Sequence, residues 1–533
     1  MIFSPLPLSS LPAWSKLNNV DFLDTAVSSM TLEIEMSDHS EEVVQRGIIT
    51  TRALSSVDTF DIPTLLEIPK ELVLCREFLL EERKLDSHFE QLRELVGWKS
   101  FRLDIMLFLL MQMTIARNNT LLDCSVFEGS ETGKCDNCNL AGEQECLLST
   151  VTSQTEENIN VGVSNPWSEY VRFLPETLTI PTMWNDAERM LLIGTSLEIS
   201  VDGKMGLLSQ EFEDLREKTI GIPWCNSCWW QDGSLEPLLM SDWIRLDAWY
   251  RSRSLELPSF GEVMVPCLDM ANHSFESNAY WDETSNGNVS LLLRPDMQLD
   301  EKNQITINYG DTKSHAETLY SYGFQDKGNK CTALVLNVSP QVIDPLHNAK
   351  VAATHERPVV RICRDEDGEI SWESPYLYFF SLNEEDGLEF KTLQEVDGSH
   401  GSLCVFWQEA DVTESVDTFE TLISGHELAD VFKVRVLSLL HDRIQQQVAR
   451  LYASTQMAHT LVDQGMVSVG AQIEADGLRE IETDVLEVAL ETISGQKTEL
   501  LETESVCQYL RSMSSNAEQI PAMPEPKEED DFS

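Results

Sequence analysis

The chain has 533 residues and a formal net charge of −52, with 90 acidic and 38 basic side chains. This length allows two to four domains, each with its own hydrophobic core. A surface of this charge repels nucleic acid phosphates, and no stretch approaches the ~20 apolar residues that span a bilayer, so we expect no nucleic acid or membrane partner. Either the acidic surface attracts a basic protein, or it serves only solubility.

Twelve cysteines are scattered along the chain. The N-terminal stretch is apolar, but it lacks a basic leader and is broken by prolines, which is not the pattern of a signal peptide. We therefore expect reduced thiols rather than disulfides, and a cytoplasmic or nuclear location.

The first half of the chain changes its hydrophobic period three times. Residues 43–75 alternate like short strands, and residues 77–117 place apolar side chains at helical spacing. Residues 118–164 are polar and have no apolar stripe, so we expect a flexible loop there. Helical spacing returns, with breaks, over residues 167–256.

The second half begins with short strands and turns over residues 260–330. From residue 331 strand-like stretches lead into long helical runs, in which apolar residues recur every three or four positions. Residues 516–533 are rich in proline and acid, which is typical of a disordered tail.

One group of short motifs lies within residues 260–330. Residues Asp269 to Ser274 read Asp-Met-Ala-Asn-His-Ser and follow a strand that looks buried. Tyr309-Gly310 ends another strand, and Tyr322-Gly323-Phe324 begins thirteen residues after Tyr309. Each piece alone is typical of a turn or a strand end, but their order and spacing together form a specific pattern.

With these motifs the chain resembles the SET-domain methyltransferases, in the group of the Rubisco large-subunit methyltransferase and the fungal ribosomal lysine methyltransferases. That group has Asp-x-x-Asn-His-[Ser/Thr], then a Tyr followed by Lys-Ser-Asn-Ala-Glu and Tyr-Gly-Phe. Here Lys313 to Glu317 read Lys-Ser-His-Ala-Glu, with His315 in place of the asparagine. The group's opening Glu-Gly-x-Gly-[Leu/Val] is matched by Val44 to Ile48, which lack the acid and the first glycine.

The resemblance implies an α+β fold with two domains. A SET core of short strands would occupy residues 11–330, with a helical insert at about 101–258. A mostly helical domain, like a substrate-binding domain, would follow over residues 331–515.

The resemblance also implies a protein-lysine N-methyltransferase that uses S-adenosyl-L-methionine and acts on a non-histone, basic protein such as a ribosomal one. Tyr309 would be the catalytic tyrosine and also contact the substrate, and Tyr322 would line the lysine channel. Arg253 and Asp269 would bind substrate, although a buried ion pair between them would look the same in sequence. The implied cofactor-binding residues are Val44, Gln45, Arg46, Asn272 and His273.

Such a channel has a physical purpose, because the attacking lysine must be neutral although its pKa in water is near 10.4. Burial in a narrow apolar channel lowers that pKa. Tyrosine suits the channel wall because it supplies an apolar ring with one polar tip.

Two other functions stay open. The group includes an actin-histidine methyltransferase, and the core motifs do not separate lysine from histidine as the target. Alternatively, the chain is a degenerate SET module that only binds proteins. The altered stretch at Val44 to Arg46 favours this second hypothesis, and the intact Tyr309 argues against it.

A metal site is not expected from the cysteines. Four-cysteine zinc sites usually show two close pairs, whereas this region offers one Cys-x-x-Cys motif and two outlying thiols. The four cysteines are Cys124, Cys135, Cys138 and Cys146.

Overall fold

The computed structural model describes most of the chain and divides it into two compact units. The described residues are 5–35, 40–57, 62–127, 161–231, 237–326, 328–329, 332–338, 344–365, 367–393 and 402–517. Unit 1 consists of Met1–Arg189, Ile199–Lys313 and Glu317–Asn329. Unit 2 consists of Met190–Glu198, Ser314–Ala316 and Lys330–Ser533. Over the described residues, no helix is both long and apolar enough to cross a membrane.

Unit 1 is built on short strands that form two four-stranded sheets and two strand pairs. The strands are β1 (Asp21–Phe22), β2 (Thr25–Glu35), β3 (Ser40–Thr50), β4 (Leu54–Ser55), β5 (Thr64–Ile68), β6 (Ser254–Leu257), β7 (Gly261–Met264), β8 (Asn272–His273), β9 (Ala279–Glu283), β10 (Val289–Leu293), β11 (Gln298–Leu299) and β12 (Gln304–Ile307). The sheet orders are β1-β5-β10-β9 and β2-β3-β12-β8, and the pairs are β11-β4 and β6-β7. Among the described strands, only β8 and β12 pair in parallel.

Most helices of unit 1 lie between β5 and β6, whereas one precedes β1 and one follows β12. The helices that lie wholly or mostly in unit 1 are α1 (Leu11–Leu17), α2 (Arg76–Leu85), α3 (Ser87–Val96), α4 (Phe101–Phe127), α5 (Pro166–Tyr170), α6 (Asp186–Met190), α7 (Leu197–Thr219), α8 (Pro223–Cys225), α9 (Met240–Arg253) and α10 (His315–Tyr322). The predicted switch from strand to helical spacing after residue 75 therefore corresponds to the start of α2.

Helix α4 is longer than its sequence pattern indicated. We expected a loop from residue 118, but α4 continues to Phe127. No glycine or proline interrupts residues 118–127, and extending an existing helix costs little once its first turns have formed. Residues 161–164 have no helix or strand, and the rest of the expected loop lies outside the described residues.

The core of unit 1 surrounds α4. Its segment Ile105–Met111 is at most 1% exposed, which is typical of a helix that is apolar on all faces and buried on all of them. Ion pairs secure its polar first turns. Asp104 pairs with Arg93 of α3 at 2.7 Å, and Arg102 pairs with the fully buried Asp247 of α9 at 2.7 Å.

Unit 2 combines two three-stranded antiparallel sheets with long helices. Its strands are β13 (Thr332–Asn337), β14 (Val359–Arg364), β15 (Ile370–Glu373), β16 (Leu388–Leu393), β17 (Ser402–Trp407) and β18 (Ala410–Asp411). Its helices are α11 (His347–Ala353), α12 (Leu377–Ser381), α13 (Phe419–Ile423), α14 (Ala429–Asp463), α15 (Val469–Leu501) and α16 (Glu504–Ala517). The sheet orders are β13-β14-β15 and β16-β17-β18.

Two buried ionisable side chains of α15, Arg479 and Glu482, hold the segment 190–198 within unit 2. Arg479 donates to the main-chain oxygen of Ile193 at 2.8 Å and to that of Leu451 at 2.6 Å. Glu482 accepts hydrogen bonds from the main-chain N–H and the hydroxyl of Ser196. Burial raises the pKa of Glu482 to about 7, against its hydrogen bonds to Ser196 and the charge of Arg479.

The raised pKa of Glu482 predicts a pH dependence of stability. The stabilisation that comes from the neutral form is complete below the unfolded-state pKa of 4.5 and is lost as pH rises through about 7. Glu482→Gln cannot ionise, so its melting temperature should rise relative to wild type between pH 5 and pH 8. The change corresponds to roughly 2–3 kcal/mol. Thermal melts across this pH range measure it.

Glu480→Gln is the matched control, since it removes the same charge from an exposed position on the same helix. Its melting temperature should stay parallel to that of wild type at every pH. Equal pH profiles for Glu482→Gln and Glu480→Gln would contradict the assignment of a neutral, buried Glu482.

Candidate functional site

The parallel pairing of β8 with β12 brings the two separate motif segments together. Asn272 lies opposite Thr306, and His273 lies opposite Ile307. The ladder continues one step further, because the main-chain N–H of Ser274 donates to the oxygen of Ile307 at 3.0 Å. Tyr309 follows β12 by two residues and therefore lies beside His273.

Tyr309 is held at both ends. Its main-chain N–H donates to His273 Nδ1 at 3.0 Å, and its hydroxyl donates to the main-chain oxygen of Ala271 at 2.7 Å. Burial raises the pKa of the Tyr309 hydroxyl, while the nearby Arg253 opposes the rise. The hydroxyl therefore stays protonated at neutral pH, and its hydrogen is directed at Ala271.

Aromatic rings surround Tyr309 on two sides. Its ring centroid lies 4.6 Å from that of Tyr322 and 5.1 Å from that of His273. Phe324 closes the group, at 6.2 Å from Tyr322 and 5.8 Å from His273. Lys313 lies at the edge, with its Nζ 2.8 Å from the main-chain oxygen of Tyr309 and 5.7 Å from the Tyr322 ring centroid.

The protonation state of His273 follows from its contacts. Its Nδ1 accepts a hydrogen bond from Tyr309, so the hydrogen of the neutral ring is on Nε2, which lies 3.6 Å from Asp326 Oδ2. Burial lowers the pKa of His273, against the opposing charge of Asp326. The ring is therefore neutral at pH 7 and accepts from Tyr309 as a fixed tautomer.

A hydrogen bond from Asn272 connects strand β3 to the group around Tyr309. The Asn272 side-chain amide donates to the main-chain oxygen of Arg46 at 2.9 Å. At the next residue, Gly47, an added Cβ would lie 2.7 Å from Asn272 Nδ2 and 2.6 Å from Met30 Cε, so these side-chain ends would have to shift. This close approach is the physical reason why glycine occupies position 47.

Arg253 and Asp269 form the buried ion pair that the sequence left as an alternative to substrate contact. Their side chains are 15% and 1% exposed, and Arg253 Nη1 lies 3.2 Å from Asp269 Oδ2. The same nitrogen donates to the main-chain oxygen of Asp269 at 2.8 Å. Burial raises the pKa of Asp269, although Arg253 and a hydrogen bond from Tyr170 both act to lower it.

Tyr170, which lies outside the motif segments, completes this group. Its hydroxyl donates to Asp269 Oδ1 and accepts from the main-chain N–H of Cys267 at 2.7 Å. Tyr170 lies 99 residues before Asp269, at the end of the insert helix α5. The only signal in sequence was its place at the start of residues 167–256, where helical spacing returns.

The structure thus brings together most of the predicted site residues, within unit 1. Tyr309 contacts His273 and Tyr322, and Asn272 contacts the main chain of Arg46. Gln45 and Val44 precede Arg46 on β3, and the side chain of Val44 lies outside the described residues.

The metal prediction is not tested. Of the four cysteines considered for zinc, Cys135, Cys138 and Cys146 lie outside the described residues, as does the side chain of Cys124. Elsewhere in the described part of the chain, no group of three or more His, Cys, Asp or Glu residues could hold a metal ion.

Known proteins resemble this chain in sequence. No family model matches it. SET domain-containing protein 8 of Schizosaccharomyces pombe is 27% identical over 380 residues, which are 70% of this chain and 74% of that protein. Ribosomal lysine N-methyltransferase set10 of the same yeast is 22% identical over 182 residues, which are 33% of this chain and 31% of that protein.

Solved structures resemble it in fold. A structure of Rubisco LSMT bound to AdoMet has a TM-score of 0.58 and 14% identity, and covers 97% of this chain and 98% of its own. The SET domain of LSMT bound to lysine and AdoHcy has a TM-score of 0.56 and 15% identity, and covers 96% and 99%. The comparisons confirm the resemblance to the SET-domain protein methyltransferases, and the predicted α+β fold is theirs.

The crowding at Gly47 yields a prediction. Gly47→Ala should break the hydrogen bond between Asn272 and Arg46 and lower the melting temperature, by the equivalent of roughly 1–3 kcal/mol. Thermal melts of the ligand-free protein measure this.

Gly203→Ala serves as the control, because Gly203 lies inside α7 and an added Cβ would meet no described atom within 4 Å. Alanine favours helix over glycine, so this variant should gain roughly 0.5–1 kcal/mol. If Gly47→Ala melts at or above the temperature of wild type, β3 does not approach Asn272 as described.

Proposed function

We propose that this chain transfers a methyl group from S-adenosyl-L-methionine to a lysine side chain of a non-histone protein. The observation that carries the proposal is the placement of Tyr309, which stands between His273 and Tyr322 with its hydroxyl fixed on Ala271. Solved structures with this fold hold AdoMet, or AdoHcy together with lysine, and a yeast relative is a ribosomal lysine N-methyltransferase.

The cofactor has a suitable place at the edge of β3. The ladder between β3 and β12 ends at Ile48, so on that side the main chain from Val44 to Arg46 extends past its partner strand. A strand edge offers N–H and C=O groups to a ligand. Arg46 is exposed, and Asn272 and Tyr309 are partly exposed, so these predicted residues are open to a bound molecule. Their polar groups fit the cofactor, and we propose that they hold it.

S-adenosyl-L-methionine supplies the activated methyl group on a positively charged sulfur. A neutral lysine nitrogen would take that methyl group, S-adenosylhomocysteine would be the leaving group, and the proton of the methylated amine would pass to solvent. The protein must align the nitrogen with the methyl carbon and sulfur at near-attack distance. We assign that alignment to Tyr309 and Tyr322.

The hydroxyl of Tyr309 is set up as an acceptor. Because its hydrogen is donated to Ala271, its oxygen keeps lone pairs for the amine or for weak contacts with the polarised methyl group. The Tyr322 ring would form the apolar wall that disfavours the charged ammonium and so lowers the lysine pKa. Arg253 and Asp269 bind each other, so we propose that they shape the floor of the site and that any substrate contact is made through that pair.

The charge of the chain supports a basic protein as the substrate. A net charge of −52 attracts lysine-rich surfaces over long range and repels nucleic acid. A ribosomal protein has the required basic chemistry, and we propose a substrate of that kind.

The direct test incubates the purified protein with cell extract and radiolabelled S-adenosylmethionine, followed by mass spectrometry of the labelled protein. Label on lysine of a basic, non-histone protein is the expected result. Label on histidine would identify histidine, and not lysine, as the methylated residue. No transfer, together with no cofactor-induced rise in melting temperature at millimolar concentration, would favour the protein-binding module.

Tyr309→Phe tests the assigned hydroxyl. It keeps the ring but removes the oxygen, so kcat and kcat/KM should fall together, by roughly 10²–10³, with cofactor affinity nearly unchanged. Steady-state kinetics and calorimetry measure the two effects.

Tyr280→Phe is the control, because Tyr280 is a partly buried tyrosine of β9 in the same unit. It should methylate at the wild-type rate. A Tyr309→Phe variant that binds cofactor and turns over like wild type would remove Tyr309 from the mechanism.

A further inference from the structure

A buried tyrosine outside the motif segments is hydrogen-bonded to the turn that ends at the acceptor of the Tyr309 hydroxyl. Tyr170 is fully buried, and its ring packs against Trp14, Trp167 and Phe173 at centroid distances of 4.9, 5.3 and 6.2 Å. The ring therefore belongs to the core of unit 1. Its hydroxyl, in contrast, forms hydrogen bonds with two polar groups of a single turn.

That turn runs from Cys267 to Ala271. It includes the 3₁₀ turn Leu268–Met270. Cys267 enters it with a φ of 69°, a left-handed conformation that is unfavourable for residues with a side chain. Such a conformation persists only when surrounding contacts hold it.

Tyr170 supplies two of those contacts. Its hydroxyl accepts from the N–H of Cys267 at 2.7 Å and donates to the carboxylate of Asp269. Arg253 holds the same turn from its other side, through the main-chain oxygen and the side chain of Asp269. The left-handed residue and the carboxylate are thus fixed by one hydroxyl.

The turn ends at the acceptor of the Tyr309 hydroxyl. The N–H of Ala271 donates to the oxygen of Leu268 at 2.9 Å, which closes the turn, and the oxygen of Ala271 accepts from Tyr309. A shift of the turn therefore moves the group that orients the Tyr309 hydroxyl.

We propose that Tyr170 is a positioning residue, which orients the hydroxyl of Tyr309 by holding the Cys267–Ala271 turn. This role rests on the proposed methyl transfer, because it concerns the geometry of the assigned catalytic hydroxyl. Tyr170 acts through the turn and does not touch the reacting groups.

The experiment compares Tyr170→Phe with wild type in the full-length protein. Phenylalanine keeps the ring packing but leaves the Cys267 N–H and Asp269 each without one partner. We expect kcat to fall roughly 10-fold to 100-fold, because small displacements of a reacting group have effects of that size. KM for the cofactor should change less than twofold, because Arg46 and Asn272 are not part of this turn.

Two further variants separate positioning from general stability. Tyr250→Phe removes the hydroxyl of another buried tyrosine in the same unit and should lower the melting temperature without lowering kcat. Cys267→Gly, combined with Tyr170→Phe, relieves the left-handed strain, since glycine adopts that conformation freely. The double variant should regain at least part of the lost kcat.

A readout that needs no activity keeps this inference separate from the proposed function. In a double-mutant cycle, Tyr309→Phe should lower the melting temperature less in the Tyr170→Phe background than in wild type, because the two hydroxyls share one turn. Strictly additive shifts would overturn the proposal even if the protein has no methyltransferase activity.

The kinetic outcomes are equally decisive when wild type is active. A folded Tyr170→Phe variant with wild-type kcat would refute the positioning role. If Tyr170→Phe alone does not fold, the double variant with Cys267→Gly replaces it. In that background the double-mutant cycle with Tyr309→Phe decides: coupled melting temperatures support the proposal, and strictly additive shifts overturn it.

Discussion

The site depends on one short interaction, the parallel pairing of the two-residue strand β8 with β12. The two strands come from motif segments more than thirty residues apart, and the ladder of only three steps sets their register. A one-residue slip in register would move the side chain of Asn272 and that of His273 each to the other face of the sheet. The side-chain bonds from Asn272 to Arg46 and from Tyr309 to His273 oppose such a slip, so the ladder and these contacts stabilise each other.

Charge burial adds a second constraint. The side chain of Asp269 is 1% exposed, and a buried carboxylate is costly unless it is paired and hydrogen-bonded. Arg253 and Tyr170 satisfy its two oxygens, so removal of either partner leaves an uncompensated group in the core. Helices α5 and α9, which lie between β5 and β6, thus supply hydrogen-bond partners for the turn Cys267–Ala271.

The sequence predicted the resemblance to the SET-domain methyltransferases, the α+β fold class and the main helical and strand regions, because hydrophobic periods and an ordered set of motifs can be read without tertiary information. It did not predict the end of α4, since helix continuation over residues 118–127 depends on the absence of breakers rather than on an apolar stripe. Tyr170 was missed because its partners lie 97 and 99 residues away. The choice between ion pair and ligand contact for Arg253 and Asp269 was open because sequence alone does not show whether two side chains 16 residues apart meet. Domain boundaries and the roles of the site residues stay predictions.

The most direct test of this account is an experimental structure of the protein with S-adenosylhomocysteine. We expect the ligand against the edge of β3 at Val44 to Arg46, in contact with Asn272, with its sulfur facing the hydroxyl of Tyr309. That hydroxyl should still donate to Ala271. Absence of the ligand from this edge at saturating concentration, or a sulfur that faces away from Tyr309, would contradict it.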